Sequence, residues 1–356
     1  LFGTATAVLD QLDDADLARG CLQRFEEEMG KGLPSTVAGD THYASLWARQ
    51  GLERQLALLE VAFLLYYGRL SPSAAFLADI LECVHRTQFG QRQANASLFD
   101  TDAHAKCRCI RDLLLFLAIE CLNLEAALDV VPEGIAAPDD AALAPLATDT
   151  DALERCLVQL EKAASDVAYA PLLLSFALVL RRLDEVGSHT PLEPRLAATL
   201  DVVDHGPQIW RRLLQGAFDP SMQLFETLHS LVTSPLLRTA TRALGASNLS
   251  ALAYRAVFKG LLLTITELVQ PEYLPDLDSL VDLWCLTFRA MPGDAPDGIA
   301  ALCTQFWTQD IQYPTRASLL DTVLRRFPAS FLPLIRLAHA LSGTSPDAPS
   351  PETVTA

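Results

Sequence analysis

Residues 56–67 constrain this chain most, because they are apolar on nearly every side of a helix. Glu60 is the only charged residue among them. A helix with a single apolar stripe lies on a protein surface, whereas a helix that is apolar on most sides has to be covered from several directions. The stretch therefore predicts a buried helix with helical neighbours, as in an α-helical repeat array.

The residues that follow predict a second helix folded back on the first. Gly68 and Arg69 interrupt the apolar pattern. Ser71-Pro72 predicts the next helix start, because serine is a preferred N-cap and proline suits the first helical turn. Residues 85–93 are polar around one aromatic residue and one glycine, which predicts a connection rather than a helix interior. The apolar positions of the helix between them are Phe76, Leu77, Ile80, Leu81 and Val84.

The same helical periodicity recurs along the rest of the chain, with almost no alternating pattern of the kind that strands show. The helix pairs recur at roughly 30 to 45 residues, in the range of HEAT and armadillo units, although no consensus repeats. We predict an all-α fold, an irregular right-handed α-solenoid of HEAT-like or armadillo-like helix pairs, because closed bundles rarely chain so many helices. Further helices are predicted at residues 4–29, 106–127, 151–164, 169–183, 207–218 and 249–269.

The predicted domain organisation is a single solenoid segment over residues 1–341. Residues 131–151 are a loop-rich break within it, because prolines and a glycine stand there among alanines and aspartates. Residues 342–356 are rich in Ser, Thr, Pro and Ala, and we predict a disordered tail. The chain begins at Leu1 inside a helical pattern, from which we expect a piece of a longer protein.

The charge of the chain argues against two classes of partner. Its 27 basic and 44 acidic residues give a net charge of -17. Binding to nucleic acid needs clustered Lys and Arg that displace counterions from phosphates, and docking on anionic lipid needs basic clusters as well. The longest uncharged apolar run, residues 167–180, is too short to span a bilayer. We therefore predict no nucleic-acid partner and no direct membrane insertion.

No sequence motif predicts catalysis. The chain contains no GxxxxGK[ST] loop, no GxGxxG fingerprint and no GxSxG elbow. We predict that the chain is not an enzyme and has no catalytic, cofactor-binding or metal-binding residues and no cofactor. Two acidic clusters predict a solvated helix face in preference to a metal or general-acid site. The clusters are Asp13, Asp14 and Asp16, and Glu26, Glu27 and Glu28.

The cysteines are scattered, without a CxxC pair. In so apolar a chain they are typical of reduced core residues in an intracellular protein. His104, Cys107 and Cys109 form the one cluster of metal-ligand residue types. On a helix, however, Cys109 is turned about 200° from Cys107, and a tetrahedral zinc site needs further ligands. We favour core cysteines over a zinc site.

Two groups of residues carry a resemblance to a known family. The first comprises Leu58-Leu59-Glu60, Phe63-Leu64 and Tyr66-Tyr67 in the helix, Pro72 at the next helix start, and Phe89-Gly90, Arg92-Gln93, Asn95 and Leu98 in the connection. The second comprises Arg326-Phe327-Pro328, Leu332-Pro333-Leu334, Arg336-Leu337 and Ala340-Leu341. The polar FGxRQxN string is the most specific part, because core packing does not dictate it. On these residues the chain resembles the large inner-ring scaffold nucleoporins of the nuclear pore complex, of the nucleoporin 188 kind.

The resemblance implies a structural role without catalysis. It implies the N-terminal portion of a longer α-solenoid that supports nucleocytoplasmic transport of protein and mRNA, located in the nucleus at the pores of the nuclear envelope. The implied partners are other nucleoporins, among them a linker nucleoporin bound mainly outside this chain, and weakly bound phenylalanine-glycine repeats. No partner-binding residue is carried over. Residues 131–151 have no counterpart in the family pattern.

Two alternatives to this function stay open at the level of sequence. The first alternative is another α-solenoid adaptor, such as a nuclear transport receptor or a HEAT-type trafficking scaffold. The second is a helical enzyme with an unrecognised site. For Arg92, Gln93 and Asn95 we expect hydrogen bonds to the open ends of neighbouring helices, whose terminal amides and carbonyls lack intrahelical partners. A partner-binding loop is the alternative for these three residues.

Overall fold

The computed structural model describes residues 14–37, 39–71, 73–129, 146, 149–162, 166–185, 208–238, 250–269, 277–289, 296–312 and 316–343. Helices, 3₁₀ turns and their connections account for these residues, and no strand occurs among them. The all-α prediction is confirmed for this part of the chain. None of the helices in these ranges combines the length and the apolar character needed to cross a membrane.

The α-helices are α1 (Asp14–Gly30), α2 (Thr41–Gly68), α3 (Ala74–Thr87), α4 (Thr101–Cys121), α5 (Leu124–Asp129), α6 (Thr150–Lys162), α7 (Ala170–Glu185), α8 (Ile209–Ala217), α9 (Leu224–Val232), α10 (Ser250–Leu268), α11 (Leu277–Phe288), α12 (Pro296–Thr308), α13 (Ser318–Arg325) and α14 (Leu332–Leu341). Short 3₁₀ turns lie at Ala96–Leu98, Val167–Tyr169, Pro220–Met222, Pro235–Leu237 and Asp310–Gln312.

The chain divides into two compact units, Leu1–Met222 and Gln223–Ala356. A repeat array can be divided in this way as readily as a two-domain protein, because each repeat touches only its neighbours. The single segment over residues 1–341 therefore stays a prediction. The loop-rich break lies outside the described residues except at 146 and 149–151, and the predicted tail lies outside them beyond residue 343.

In the first unit, α2 has the central position that its apolar sequence predicts. It packs against α1 on one side and against α4 on another, and α3 packs on α4 and α6. Leu59 and Phe63 are fully buried. Tyr66 stacks on Phe76 of α3 with ring centroids 4.5 Å apart, so the two helices are joined by aromatic packing.

One face of α2 remains exposed, which the sequence did not predict. Val61, Leu64 and Tyr67 are 41%, 42% and 43% exposed. Their spacing of three residues places them on one side of the helix, and at the edge of this side Tyr67 stacks on the ring of Phe63 at 5.8 Å. The expectation that neighbours cover this helix on most sides is therefore too strong, because α1, α3 and α4 leave one apolar stripe open among the described residues.

Helix α2 ends at Gly68 as expected, but α3 differs from its prediction at both ends. Its cap is Ser73 rather than Ser71, with the Ser73 hydroxyl 3.3 Å from the Phe76 amide. The apolar positions predicted for this second helix are all buried. The helix also runs on to Thr87, so His85 and Arg86 belong to its last turn and not to the connection.

The predicted helix 106–127 is two helices. Asp100 caps α4 by accepting a hydrogen bond from the Ala103 amide at 2.8 Å, so α4 starts at Thr101, before the predicted boundary. It ends at Cys121, because Asn123 adopts a left-handed conformation with φ 50°. Asparagine tolerates that conformation better than most residues. The helices predicted within 151–164, 169–183, 207–218 and 249–269 are present. Residues 163–164, 207 and 249 of these predictions, and residues 4–13 of the predicted helix 4–29, lie outside the described residues.

The second unit is built around α10, which is buried along most of its length. Next to it, Trp284 and Phe288 of α11 stack with ring centroids 5.5 Å apart. Phe306 of α12 meets Trp284 edge-on at 5.5 Å. This aromatic cluster explains why the tryptophan lies inside an apolar helix: it supplies a large buried area to the core.

The burial of α2 predicts a contrast between two faces of one helix. Leu59→Ala or Phe63→Ala should lower the free energy of unfolding by about 2–5 kcal/mol, because each loses its buried contacts and leaves a cavity. Leu64→Ala is the matched control on the exposed face and should cost less than about 1 kcal/mol. Denaturant unfolding measures all three. Equal losses for the three variants would contradict the packing described here.

Candidate functional site

The most specific part of the sequence, residues 88–98, lies between α3 and α4, and we call it the polar connection. Its first three residues, Gln88, Phe89 and Gly90, all have positive φ values of 50°, 53° and 74°. Thr87 fixes this turn: its hydroxyl donates to the Cys83 carbonyl at 2.8 Å and accepts from the Gly90 amide at 3.1 Å. The helix end is therefore closed by a turn that L-residues rarely adopt.

Phe89 and Gly90 fit the turn against the core of the first unit. Phe89 is buried and meets the ring of Tyr169 edge-on at 4.6 Å. A Cβ atom on Gly90 would lie 2.5 Å from Cγ2 of Ile110 in α4. Glycine is needed here for two reasons, its positive φ and the close approach of α4.

Gln93 joins the polar connection to the middle of α2. Its amide nitrogen donates to Oε1 of Gln55 at 2.7 Å and to the Gly90 carbonyl at 2.9 Å. The Gln55 amide nitrogen donates back to Oε1 of Gln93 at 3.0 Å. Gln55 is only 2% exposed, so this reciprocal pair satisfies a buried amide that has few other partners.

Arg92 and Asn95 bond to helix ends, as the structural hypothesis predicts. Asn95 donates from Nδ2 to the carbonyl of Lys31, directly after α1, at 2.8 Å. Arg92 donates from Nη1 to the Arg86 carbonyl in the last turn of α3 at 3.3 Å. The hypothesis is confirmed for these two residues. It is wrong for Gln93, whose partners are a side chain within α2 and its own turn.

Two buried arginines, which the sequence did not point to, also donate hydrogen bonds to carbonyls at the ends of other helices. Arg182 of α7 donates to the carbonyls of Ala127 and Leu128 at the end of α5, at 2.8 and 3.3 Å. Arg255 of α10 donates to the carbonyls of Leu237 and Thr287 at 2.8 and 2.7 Å. A cation there also faces the negative end of the helix dipole. The only sequence signal was an arginine within a strongly apolar helix.

A charged cavity of about 200 Å³ lies between α1 and α3, and its charged lining includes Glu26, Asp79, Glu82 and Arg86. Arg155 of α6 donates to Asp79 at 2.5 Å and to Glu82 at 2.7 Å, both on α3. Arg86 bonds to Glu26 of α1 at 2.7 Å. The hydrogen bond from Arg155 lowers the pKa of Glu82. These ion pairs join α1 and α6 to α3, so the charged residues that line the cavity pair with one another or with Arg155.

The acidic clusters of α1 are more buried than predicted. Glu28 is only 7% exposed, and it accepts hydrogen bonds from Lys31 and, at 3.0 Å, from Arg54 of α2. Burial opposes the charged form of Glu28, but these two bonds outweigh it and lower the pKa. Asp14 pairs with Arg69 at 2.7 Å. The solvated face is therefore confirmed for the exposed Asp16 and Glu27 and is wrong for Glu28 and Asp14, whose carboxylates meet arginines of α2 and its C-terminal flank. Asp13 lies outside the described residues.

The candidate metal residues do not converge in the structure. His104 is exposed on α4 and its ring meets Phe99 edge-on at 5.9 Å, whereas Cys107 is buried. Burial raises the pKa of the Cys107 thiol to about 11. Within the described ranges, no group of three or more His, Cys, Asp or Glu could hold a metal ion. The cysteines are free thiols and all are buried except Cys109, which is half-buried, so the core interpretation is confirmed at the buried positions.

The second unit contains four buried charged groups next to one another. Lys259 of α10 bonds to Asp310 at 3.0 Å, and Arg316 lies 3.5 Å from Asp310 and 3.7 Å from Glu267. The side chains are between 2% and 9% exposed. Buried charges need such pairing, because removing one partner leaves an uncompensated ion. Their opposite signs balance, and the arrangement ties α10 to the segment before α13.

The chain matches no protein-family model and shows no significant match to a curated protein.

The close approach at Gly90 predicts a specific loss of stability. Gly90→Ala should destabilise the protein by about 2 kcal/mol or more, because the left-handed backbone strains an L-residue and the methyl group meets Ile110. The control is Gly20→Ala in α1, where no atom would contact the new methyl group; it should be neutral or stabilising by about 0.5–1 kcal/mol. Thermal unfolding of both variants gives the melting temperatures to be compared. Equal melting temperatures would show that this turn is not tight.

The reciprocal amide pair predicts a non-additive pair of substitutions. Gln93→Met should cost about 1–3 kcal/mol, because the buried Gln55 amide loses its partner. The double variant Gln55→Met with Gln93→Met should cost less than the sum of the two single variants, since no unpaired amide remains. Denaturant unfolding of the three variants gives the coupling energy. A sum that is strictly additive would mean that the two amides do not interact.

Proposed function

We propose that this chain is a scaffold segment of the inner ring of the nuclear pore complex, where it supports nucleocytoplasmic transport without catalysis. The observation that carries the proposal is the position of the FGxRQxN string. Phe89 and Gly90 form the turn, and Gln93 and Asn95 bond to α2 and to the end of α1. Because several residues of this string are constrained by contacts with neighbouring helices, the string suits one particular arrangement of helices. This supports the family resemblance.

The packing of the helices supports the α-solenoid part of the proposal. Within the first unit, α1 packs on α2, α2 on α4, α3 on α6, and α7 on α8. The contacts α1–α2, α2–α4 and α7–α8 join helices that are adjacent or next but one in sequence, as in repeat arrays, whereas α3 packs most on α6, further along the chain. In this proposal the right-handed array continues through residues 1–341, and other nucleoporins, including the linker nucleoporin, bind mainly to parts of the protein outside this chain.

Weak binding of phenylalanine-glycine repeats belongs to the same proposal. A phenylalanine that enters a groove between helices gains roughly 1.5–3 kcal/mol from burial. Ordering and association costs consume most of this gain. Single contacts are then in the millimolar range, and useful affinity comes from many repeats acting together.

A solenoid predicts an elongated particle in solution. Small-angle scattering should give a radius of gyration well above about 20 Å, the value expected for a compact domain of this length. The measurement separates a scaffold or adaptor from a compact helical enzyme. A value close to that of a compact domain would contradict the solenoid.

The location in the cell tests the nucleoporin assignment itself. The native protein, labelled with a fluorescent tag in its own cells, should give a punctate rim at the nuclear envelope and should co-purify with other inner-ring nucleoporins. Signal on cytoplasmic vesicles would favour a trafficking scaffold instead. Signal that shuttles diffusely between nucleus and cytoplasm would favour a transport receptor.

A further inference from the structure

The last two described helices carry exposed apolar side chains in close succession. Phe327, Phe331, Leu332 and Ile335 are between 54% and 58% exposed, and Leu324 is 47% exposed. We call these five residues the C-terminal patch. Single exposed apolar residues are common on proteins, but a contiguous group of large ones marks an interaction surface.

Leu324, Leu332 and Ile335 of the patch lie on α13 and α14, whereas Phe327 and Phe331 lie in the connection between these helices. Both helices are anchored from their other side. Val323 of α13 is fully buried, and Leu337 and Leu341 of α14 are 1% exposed. Trp307 donates from its indole nitrogen to the Leu341 carbonyl at 2.9 Å, and α14 packs against α11. The patch therefore lies on two anchored helices and the short connection between them, which makes it a preformed surface.

The charged residues beside the patch are mostly basic, with Asp321 as the one acidic residue of α13, in contrast to the rest of the chain. Arg325 and Arg326 precede Phe327, and within the described part of the chain neither has an ion-pair partner. Arg336 also lies here and pairs with Asp282. The whole chain carries 44 acidic and 27 basic residues. Two copies with a net charge of -17 repel one another, which disfavours a second copy as the occupant of the patch.

We propose that the C-terminal patch binds a short amphipathic helix of another protein, with large apolar residues on one face and Asp or Glu beside them. The apolar face would cover Phe327, Phe331 and Ile335, and the carboxylates would pair with Arg325 and Arg326. Helices bind to preformed apolar surfaces in this way, with anchors spaced by three or four residues. The inference depends only on the patch, and it holds or fails independently of the nuclear-pore proposal.

The test is a titration of the whole chain into two labelled helical peptides of about 14 residues, or four turns. Both peptides carry Leu and Phe on one face. One has Glu beside that face, and its twin has Lys at the same positions. Fluorescence anisotropy measures binding, and we expect the Glu peptide to bind at least about tenfold more tightly than the Lys peptide, with an affinity that falls as salt rises.

Two variants of the patch sharpen the test. Phe327→Ser with Phe331→Ser should weaken binding of the Glu peptide at least about tenfold, which corresponds to the loss of one good apolar contact. Arg325→Glu with Arg326→Glu should weaken it similarly and should improve binding of the Lys peptide. The controls are Tyr43→Ser, at a side chain that is 60% exposed, and Arg108→Glu, at another exposed arginine; both should leave affinity unchanged. The melting temperatures should stay unchanged throughout.

Three results would overturn the proposal. The first is equal binding of the Glu and Lys peptides, or no binding of the Glu peptide. The second is equal binding by the patch variants and the control variants. The third is a dimer in sedimentation that the two serine substitutions dissociate, because the occupant would then be a second copy of this chain.

Discussion

Every helix that ends inside a helical assembly leaves carbonyl groups without intrahelical partners, and burying them unbonded costs free energy. In this protein polar side chains from other segments supply the missing donors. Arg182 and Arg255 reach the ends of neighbouring helices from within α7 and α10, and Asn95 does so for α1. These bonds fix where one helix stops relative to the next, which apolar packing alone does not determine.

The polar connection combines this device with close packing. Its turn needs glycine at position 90, its aromatic residue belongs to the core, and Gln93 meets the buried Gln55. A change at one of these positions disturbs the helices on either side, so the string behaves as one structural unit. This explains in physical terms why a polar sequence can be as specific to an architecture as an apolar one.

Apolar periodicity predicted the helices well, because burial of one face determines where a helix forms. It located α3 and the buried side of α2, including Leu59 and Phe63. The boundaries depend on single local bonds that periodicity does not show. The cap is Ser73 rather than Ser71, and a left-handed Asn123 divides the predicted helix 106–127.

The polar contacts could be predicted only in part, because they depend on which helices meet. The sequence predicted that Arg92, Gln93 and Asn95 bond to the open ends of helices, and the structure confirms this for Arg92 and Asn95. It gave no reason to pair Gln93 with Gln55, or to place Glu28 between Lys31 and Arg54. Nor did it show that Val61, Leu64 and Tyr67 would stay exposed, because the sequence of an apolar helix does not indicate which of its sides has no neighbouring helix.

Hydrogen exchange of the native protein tests most directly whether the polar connection is a structural element. Its amides at Phe89, Arg92 and Ala94 donate to the carbonyls of Val84, Thr87 and Met29 at 3.0, 3.0 and 3.1 Å. Peptides that cover residues 88–95 should therefore exchange as slowly as the middle of α3 and α4, because both open only with the surrounding helices. Exchange at the rate of an exposed loop would contradict this account and would favour a partner-binding loop.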